Sequence, residues 1–186
     1  SGIGAGLAAA LLQRGARVAV SARRVAELER MVAPHGLRAL AVPLDVTDAS
    51  AVAPALRRVV SAWGGVDLVV LCSGTHQPVR AWELDTAEAR RLVDVNVNGV
   101  FNCLQPVVAQ LLQQGAGGVA VVSSVAGYGG LPTALVYGAT KAALINLAET
   151  LYLDLHPRGV GVSVINPGFV ETPLTAANEF TMPALI

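Results

Sequence analysis

The sequence predicts an α/β protein built on a doubly wound parallel sheet, with helices on both faces in three α/β/α layers. Short apolar segments alternate with amphipathic helical segments along the 186 residues, a pattern typical of βαβ units. The chain is 53% hydrophobic but only 4% aromatic and has 19 glycines, which suits a parallel sheet buried under helices. This length accommodates one well-buried domain, so we assign residues 1–186 to a single domain.

Charge and composition argue against several other classes of protein. The formal net charge of +0 gives no electrostatic footprint for nucleic acid or an anionic membrane. No charged residue occurs in 95–140, but Gly, Pro, Asn and Gln interrupt this run too often for a membrane span. We expect its apolar faces to be buried in the core or against a second subunit. The opening residues lack the basic segment of a signal peptide.

The two cysteines indicate a reducing compartment. Cys72 and Cys103 are too few for a disulfide framework. We therefore expect free thiols and a cytoplasmic location. No set of metal ligands is predicted.

Each apolar segment can be assigned to an element of the sheet or its helices. Strands are predicted at 17–21, 38–44, 67–71, 118–122 and 160–165, and helices at 25–34, 48–63, 86–114 and 133–155. In the long helix at 86–114, Pro106 is expected to introduce a bend. Arg23, Asp45, Gly74, Ser124 and Pro167–Gly168 then each follow the carboxyl end of a strand, where open parallel sheets bind ligands.

The first helix begins in a glycine-rich turn. Gly2, Ile3 and Gly4 lead directly into an apolar helical pattern that ends at Gly15. Such a start lets backbone N–H groups approach a phosphate, assisted by the helix dipole. The usual dinucleotide-binding fingerprint also needs a strand before the turn, and none precedes it in this sequence.

The stretch 123–141 carries the most specific chemical signal. Tyr137 and Lys141 lie four residues apart, so a helix places both on one face. A nearby ammonium group would lower the pKa of the phenol and make Tyr137 a general acid/base. Ser124 follows the predicted strand and could hold a carbonyl or alcohol oxygen against the phenol. The alternative is a surface Tyr and Lys on an ordinary helix, with serines that merely end a strand.

The order strand, S-S-x-x-G and Y-x-x-x-K resembles the short-chain dehydrogenase/reductase family, which has a Rossmann-like fold. The resemblance implies that Ser124, Tyr137 and Lys141 move a proton while NAD(P) moves a hydride. It also implies that Asn96, in N-V-N-G, holds a water that passes protons toward the lysine. Asn98 is a rival for this position, and a structural kink residue is the alternative role for Asn96.

The same resemblance implies where the cofactor binds. Gly2 and Gly4 match the last two glycines of the family's T-G-x-x-x-G-x-G, while its first glycine, first strand and last strand are missing from this sequence. The implied cofactor-binding residues are Gly2, Ile3, Gly4, Arg23, Arg24, Asp45, Val46, Gly74, Tyr137, Lys141, Pro167, Gly168, Val170 and Thr172. Two alternatives stay open: Asp45 could simply cap a helix, and Pro167–Gly168 could be a plain turn.

The residues after the second strand of the family pattern favour NADP(H) over NAD(H). An NAD-preferring site places an acidic side chain there to bind the ribose hydroxyls, but the matching residue is Ala22. Arg23 and Arg24 follow, and a guanidinium suits a 2′-phosphate. Two solvent-facing arginines at a helix start are the alternative.

Two positions depart from the family pattern. Residues 71–74 read L-C-S-G where the family usually has N-N-A-G, so Gly74 is kept but side-chain hydrogen bonds are missing. Thr140 stands where the family often has Ser. The first departure puts the rigidity of that loop in doubt more than the chemistry.

We therefore predict an NADP(H)-dependent oxidoreductase that interconverts an alcohol and a carbonyl compound. Val125, Leu131 and Pro132 suggest a hydrophobic substrate. A catalytically silent NADP(H)-binding scaffold or regulator is the main rival, and an extended-type epimerase a second one. The family's long helices pack across subunits, so a homodimer or homotetramer is expected, with a partner covering some of Phe101, Leu104, Leu111, Leu144, Leu147 and Leu151.

Overall fold

Strands and helices alternate along the chain in the computed structural model, which describes residues 2–172, 175, 182 and 185–186. The strands are β1 (Val18–Ala22), β2 (Ala39–Pro43), β3 (Leu68–Leu71), β4 (Gly118–Val122) and β5 (Gly161–Ile165). The helices are α1 (Gly2–Gln13), α2 (Val25–Val32), α3 (Ala49–Trp63), α4 (Thr86–Val93), α5 (Gly99–Gln114) and α6 (Leu135–Leu155). Short 3₁₀ turns lie at Ala33–Arg38, Ala81–Glu83, Val125–Gly127 and His156–Arg158.

All strand pairing in the described residues is parallel. β1 pairs with β2, and β4 lies between β3 and β5. The predicted α/β architecture with parallel strands is therefore confirmed, but its strands form one group of two and one group of three. Among the residues that the structure describes, β1 pairs only with β2 and β3 pairs only with β4, so no strand pairing joins the two groups.

The centre of the core is β4. Its residues Val119, Ala120, Val121 and Val122 are all buried. Because successive side chains of a strand point to opposite faces, β4 is covered on both of its faces. α5 contributes the buried Val100, Leu104, Val107 and Leu111 to the same core, spaced three or four residues apart as one face of a helix requires.

The predicted helix at 86–114 is divided in the structure. α4 and α5 are joined by a π-helical turn at Asp94–Asn98, whereas Pro106 lies inside α5 without ending it. The widened turn contains Asn96, whose side chain is fully buried. π turns inside helices frequently occur at functional sites, so the position of Asn96 in this turn is consistent with a functional role.

The six residues expected at a subunit interface differ in burial. Leu104, Leu111 and Leu144 belong to the chain's own core, so a partner could cover only the other three of the six. Leu147 and Leu151 are partly buried against that core, and Phe101 is 51% exposed. Self-association stays a prediction. None of the helices among the described residues has both the length and the apolar character needed to cross a bilayer.

Candidate active site

The loops that follow β4 and β5 are held together by the backbone. The Ser123 N–H donates to the Ile165 carbonyl at 2.8 Å, and the Val125 N–H donates to the Pro167 carbonyl at 3.1 Å. These bonds continue the parallel pairing past the strand ends. Ser124 and Pro167, both predicted site residues, are therefore neighbours at one edge of the sheet.

Three contacts fasten the end of β4 to α6. The Ser123 hydroxyl donates to the Lys141 carbonyl at 2.7 Å, and the Lys141 amine donates to the Val122 carbonyl at 3.1 Å. A Cβ on Gly127 would lie 2.8 Å from the Lys141 carbonyl carbon and 2.9 Å from the Ala142 nitrogen, so only glycine allows this approach. Ser124 is thereby held next to the part of α6 that carries Tyr137.

The phenol of Tyr137 lies in a partly buried position between Ser124 and Lys141. The Lys141 amine is 5.5 Å from the centre of the Tyr137 ring. Burial raises the pKa of Tyr137 above its usual value, and a hydrogen bond with the Ser124 side chain only partly opposes this. The expectation of a lowered pKa for Tyr137 is therefore wrong for the net shift, because burial of the phenol outweighs the groups that favour the phenolate. Tyr137 is a protonated phenol at neutral pH.

Lys141 is a buried amine, and it is the single lysine of the sequence. Only 4% of its surface is exposed. Burial lowers the pKa of Lys141 to about 8, while the Cys72 thiol acts weakly in the opposite direction. The amine is still mainly protonated at pH 7, and it supplies a positive charge beneath Tyr137.

Asn96 joins the loop after β3 to α6. Its side-chain oxygen accepts from the Thr75 N–H at 2.8 Å, and its amide donates to the Thr75 carbonyl at 2.9 Å and the Thr140 hydroxyl at 3.1 Å. The Thr140 hydroxyl in turn donates to the Tyr137 carbonyl. Asn98 is exposed and bonds Asp94 on its own helix. The structure thus places Asn96 in the site and Asn98 outside it.

The glycines predicted to bind the cofactor meet other predicted residues. A Cβ on Gly2 would lie 3.4 Å from the Thr172 side chain, and one on Gly74 would lie 3.4 Å from the Lys141 amine. The start of α1, which includes Ile3, therefore reaches the loop after β5, which carries Gly168 and Val170. The N-terminus of α1 thus lies at the carboxyl edge of the strands, which is where α/β proteins of this kind bind the phosphates of a dinucleotide.

Arg23 and Asp45, which are both predicted to bind the cofactor, are also close together. Arg24 forms an ion pair with Glu27 at 2.8 Å, whereas Arg23 is near enough to Asp45 to help lower the pKa of that carboxyl. The main cause of that lowered pKa is the Thr47 N–H, which donates to Asp45.

Asp45 is not the cap of the following helix. Asp48 caps α3 by accepting from the Ser50 N–H at 3.0 Å, so the capping alternative for Asp45 is wrong. The Val46 side chain packs at Gly99, where an added Cβ would lie only 2.6 Å from it. The Asp45–Val46 pair therefore lies beside the start of α5.

Sequence reasoning missed His76, which lies two residues after Gly74. Its ring contacts that of Tyr137, with 4.6 Å between centres. Its Nδ1 is buried and has no hydrogen-bond partner in the described part of the chain, and the Asn166 side-chain oxygen shares this condition. Only the position of His76 after a strand end could have signalled it, since a single histidine forms no pattern with its neighbours.

Comparisons with known proteins agree with this geometry. The family model described as short chain dehydrogenase matches residues 1–182. An uncharacterized oxidoreductase of Myxococcus xanthus is 39% identical over 189 aligned positions, which cover 100% of this chain and 75% of the relative. The chain belongs to the short-chain dehydrogenase family.

Solved structures show the same fold. A short-chain dehydrogenase from Streptomyces avermitilis superposes with a TM-score of 0.88 at 33% identity, covering 94% of this chain but 64% of the other. A 3-ketoacyl-(acyl-carrier-protein) reductase from Brucella melitensis, solved in complex with NADH, has a TM-score of 0.89 at 31% identity, covering 96% of this chain and 76% of the other. The chain thus spans somewhat less than two thirds of the Streptomyces protein.

The buried amine makes stability depend on pH in a definite direction. With a folded-state pKa of about 8 against 10.5 for a free lysine, the unfolded chain binds more protons between these values, so stability must rise with pH there. Relative to Lys141→Met, the wild type should gain about 1–2 kcal/mol in free energy of unfolding between pH 7.5 and 9.5. Urea denaturation of both proteins at both pH values measures this gain. The other titrating groups are the same in the two proteins, so their contributions cancel when the variant is subtracted.

A direct titration provides the control. Labelling the protein with ¹³C-lysine gives one side-chain NMR signal, because Lys141 is the single lysine. Its midpoint should lie near 8. A midpoint above 10, together with a pH-independent difference from Lys141→Met, would contradict the burial of this amine.

Proposed function

We propose that this member of the short-chain dehydrogenase family interconverts an alcohol and a carbonyl compound, with NADP(H) as cofactor and Tyr137 as general acid/base. The observation that carries the proposal is the position of the Tyr137 phenol, beside Ser124 and over the buried Lys141 amine. When bound, NADP(H) would supply or accept the hydride. The protein's own residues would handle the proton and orient the substrate.

In the direction of reduction, Tyr137 acts as the proton donor. Burial keeps its phenol protonated at neutral pH, so it can donate a proton to the carbonyl oxygen as that atom gains charge. The Lys141 ammonium then stabilises the phenolate that remains. Oxidation of an alcohol uses the same groups in reverse.

Ser124 orients the substrate oxygen. Its hydroxyl oxygen accepts from the Ala126 N–H at 3.1 Å, so its hydrogen, which bonds the Tyr137 phenol in the free protein, can be donated to a substrate oxygen instead. A hydrogen bond from Ser124 to the carbonyl oxygen would hold that atom against the phenol. Asn96 supports the arrangement by tying Thr75 to Thr140, and we assign it the proton-relaying water that the family's asparagine holds.

The substrate side and the relatives support a carbonyl reductase. Val125 is 40% and Leu131 46% exposed, and Pro132 is exposed as well, so apolar surface is available for a hydrophobic compound. The Brucella relative is named as a reductase of a 3-ketoacyl group, which is a carbonyl substrate. A catalytically silent scaffold is the alternative. Burial of the Lys141 amine costs folding free energy, however, and a protein without turnover would gain nothing from it.

The test of the acid/base is Tyr137→Phe. General acid–base catalysis contributes about 10²–10⁴-fold in rate, so loss of the phenol oxygen should lower kcat by at least about 100-fold and leave folding intact. Turnover is measured as NADPH oxidation with a panel of ketones and aldehydes. Tyr152→Phe is the matched control, because this exposed tyrosine lies on the same helix. A Tyr137→Phe variant that keeps a tenth of wild-type kcat shows that another group moves the proton.

The choice of cofactor is tested at Arg23. Hydrogen bonds to charged groups are worth about 1.5–3 kcal/mol, so Arg23→Asp should lower kcat/KM for NADPH by at least about tenfold and reverse the preference toward NADH. Arg24→Asp is the comparison variant, since Arg24 is paired with Glu27 and its replacement should lower the NADPH preference less than Arg23→Asp does. The Brucella relative was solved with NADH, and a wild type that favours NADH would overturn the assignment.

A further inference from the structure

The loop that carries His76 is fixed at both of its ends. On one side, Thr75 forms two hydrogen bonds with the buried Asn96. On the other, the Val79 N–H donates to the Thr133 carbonyl at 2.9 Å, and Val79 pairs with Ala134 at the start of α6. The three residues between these anchors have little freedom to move away from α6.

Thr133 shows that this junction is held under constraint. It is the one non-glycine residue with positive φ, at 61°, in the part of the chain that the structure describes. A β-branched residue in this conformation is unfavourable and persists only where the surroundings enforce it. Such positions cluster at ligand-binding sites, and this one precedes Tyr137 by four residues.

His76 carries an unsatisfied hydrogen-bonding atom into this constrained region. Its ring is tilted by 55° against that of Tyr137 at 4.6 Å between centres, and its Nδ1 has no partner among the described residues. A buried polar atom left without a hydrogen bond costs about 1–3 kcal/mol. Because Nδ1 is covered by the protein's own atoms, the imidazole must turn within its place for a ligand group to complete the bond, and the bond would then remove this penalty.

We propose that His76 determines substrate specificity by hydrogen-bonding a second oxygen of the substrate, carried close to the reacting carbonyl. The inference rests on the proposed function, because it places the reacting oxygen at Tyr137. Since the two rings are in contact, the second oxygen belongs to a carbon near the reacting one. The substrates favoured are hydroxyketones or diketones, in which an apolar body carries two neighbouring oxygens.

A neutral oxygen is favoured over a carboxylate as the partner of His76. Burial lowers the pKa of this histidine, so the ring is uncharged at neutral pH and offers one donor and one acceptor nitrogen. The neighbouring amine of Lys141 is already bound to the Val122 carbonyl. A hydroxyl group can both donate and accept, so it pairs with either tautomer of the imidazole.

Matched pairs of ketones test this inference. The pairs are cyclohexanone with 2-hydroxycyclohexanone, butan-2-one with 3-hydroxybutan-2-one, and acetophenone with 2-hydroxyacetophenone, each assayed as NADPH oxidation. The wild type should prefer the hydroxylated member. His76→Phe keeps a ring against Tyr137 but loses both nitrogens. It should lower kcat/KM for the hydroxyketone by about 3–10-fold, mainly through KM, as expected for one lost hydrogen bond.

The control variant and the plain ketones separate recognition from packing. His76→Asn carries an amide close to the position of Nδ1 and should restore much of the preference, while kcat/KM for the plain ketone should stay within about twofold of wild type for both variants. Equal losses on both members of a pair would mean that His76 only packs against Tyr137, and no loss on either would also overturn the inference.

The outcome also distinguishes this inference from the proposed function. If no ketone of the panel supports NADPH oxidation, the proposed function fails, and the inference fails with it. If ketones are reduced and Tyr137→Phe abolishes their reduction, but His76→Phe leaves the preference unchanged, the proposed function stands and only the role of His76 is wrong.

Discussion

The attachment of α6 to the end of β4 is the contact on which the site depends. A strand end and a helix must approach closely there, and Gly127 permits this because any Cβ would meet the α6 backbone. The Ser123 hydroxyl and the Lys141 amine then bond carbonyl groups across the junction. One junction therefore sets the position of Ser124 and Tyr137 and encloses Lys141 at the same time.

Burial at this junction shifts the pKa values of Tyr137 and Lys141 in the directions opposite to those that attraction between a phenolate and an ammonium would cause. A low-dielectric surrounding disfavours the charged form of every group, so the pKa of Tyr137 is raised and that of Lys141 lowered. Both shifts bring the two groups toward neutrality, and the phenol retains its proton. The raised pKa keeps the proton on the phenol of the free protein, and the nearby ammonium becomes most important when the phenol loses that proton.

Features set by local spacing were predictable from the sequence. Tyr137 and Lys141 share a helix face because they are one turn apart, and the parallel strands bring Ser124 and Pro167 to one edge. The start of α1 and Thr172 also meet, although 170 positions separate Gly2 from Thr172 in the sequence. The family resemblance assigned both residues to the cofactor site, but neither it nor the periodicity of the sequence predicted this contact.

Features set by burial and long-range contacts were not predictable. The direction of the Tyr137 pKa shift depends on how many atoms surround the phenol, and the π turn at Asp94–Asn98 accompanies the bonds of Asn96 to a distant loop. His76 gave no sequence signal, because its importance comes from an anchored loop and an unsatisfied Nδ1. The sequence also could not tell which of the six apolar residues named for a possible interface are buried in the core, as Leu104 and Leu111 are.

Replacement of Gly127 by alanine tests most directly whether the β4–α6 junction organises the site. Overpacking against backbone costs about 1–3 kcal/mol, so Gly127→Ala should lower the free energy of unfolding by that amount and displace Ser124 from Tyr137. Ketone reduction by the folded variant should then fall by at least about tenfold, since misplaced catalytic groups lose rate steeply. Gly129→Ala is the matched control, because a Cβ there meets no atom within 4 Å, and it should behave as wild type. A Gly127→Ala protein with wild-type stability and turnover would contradict the account.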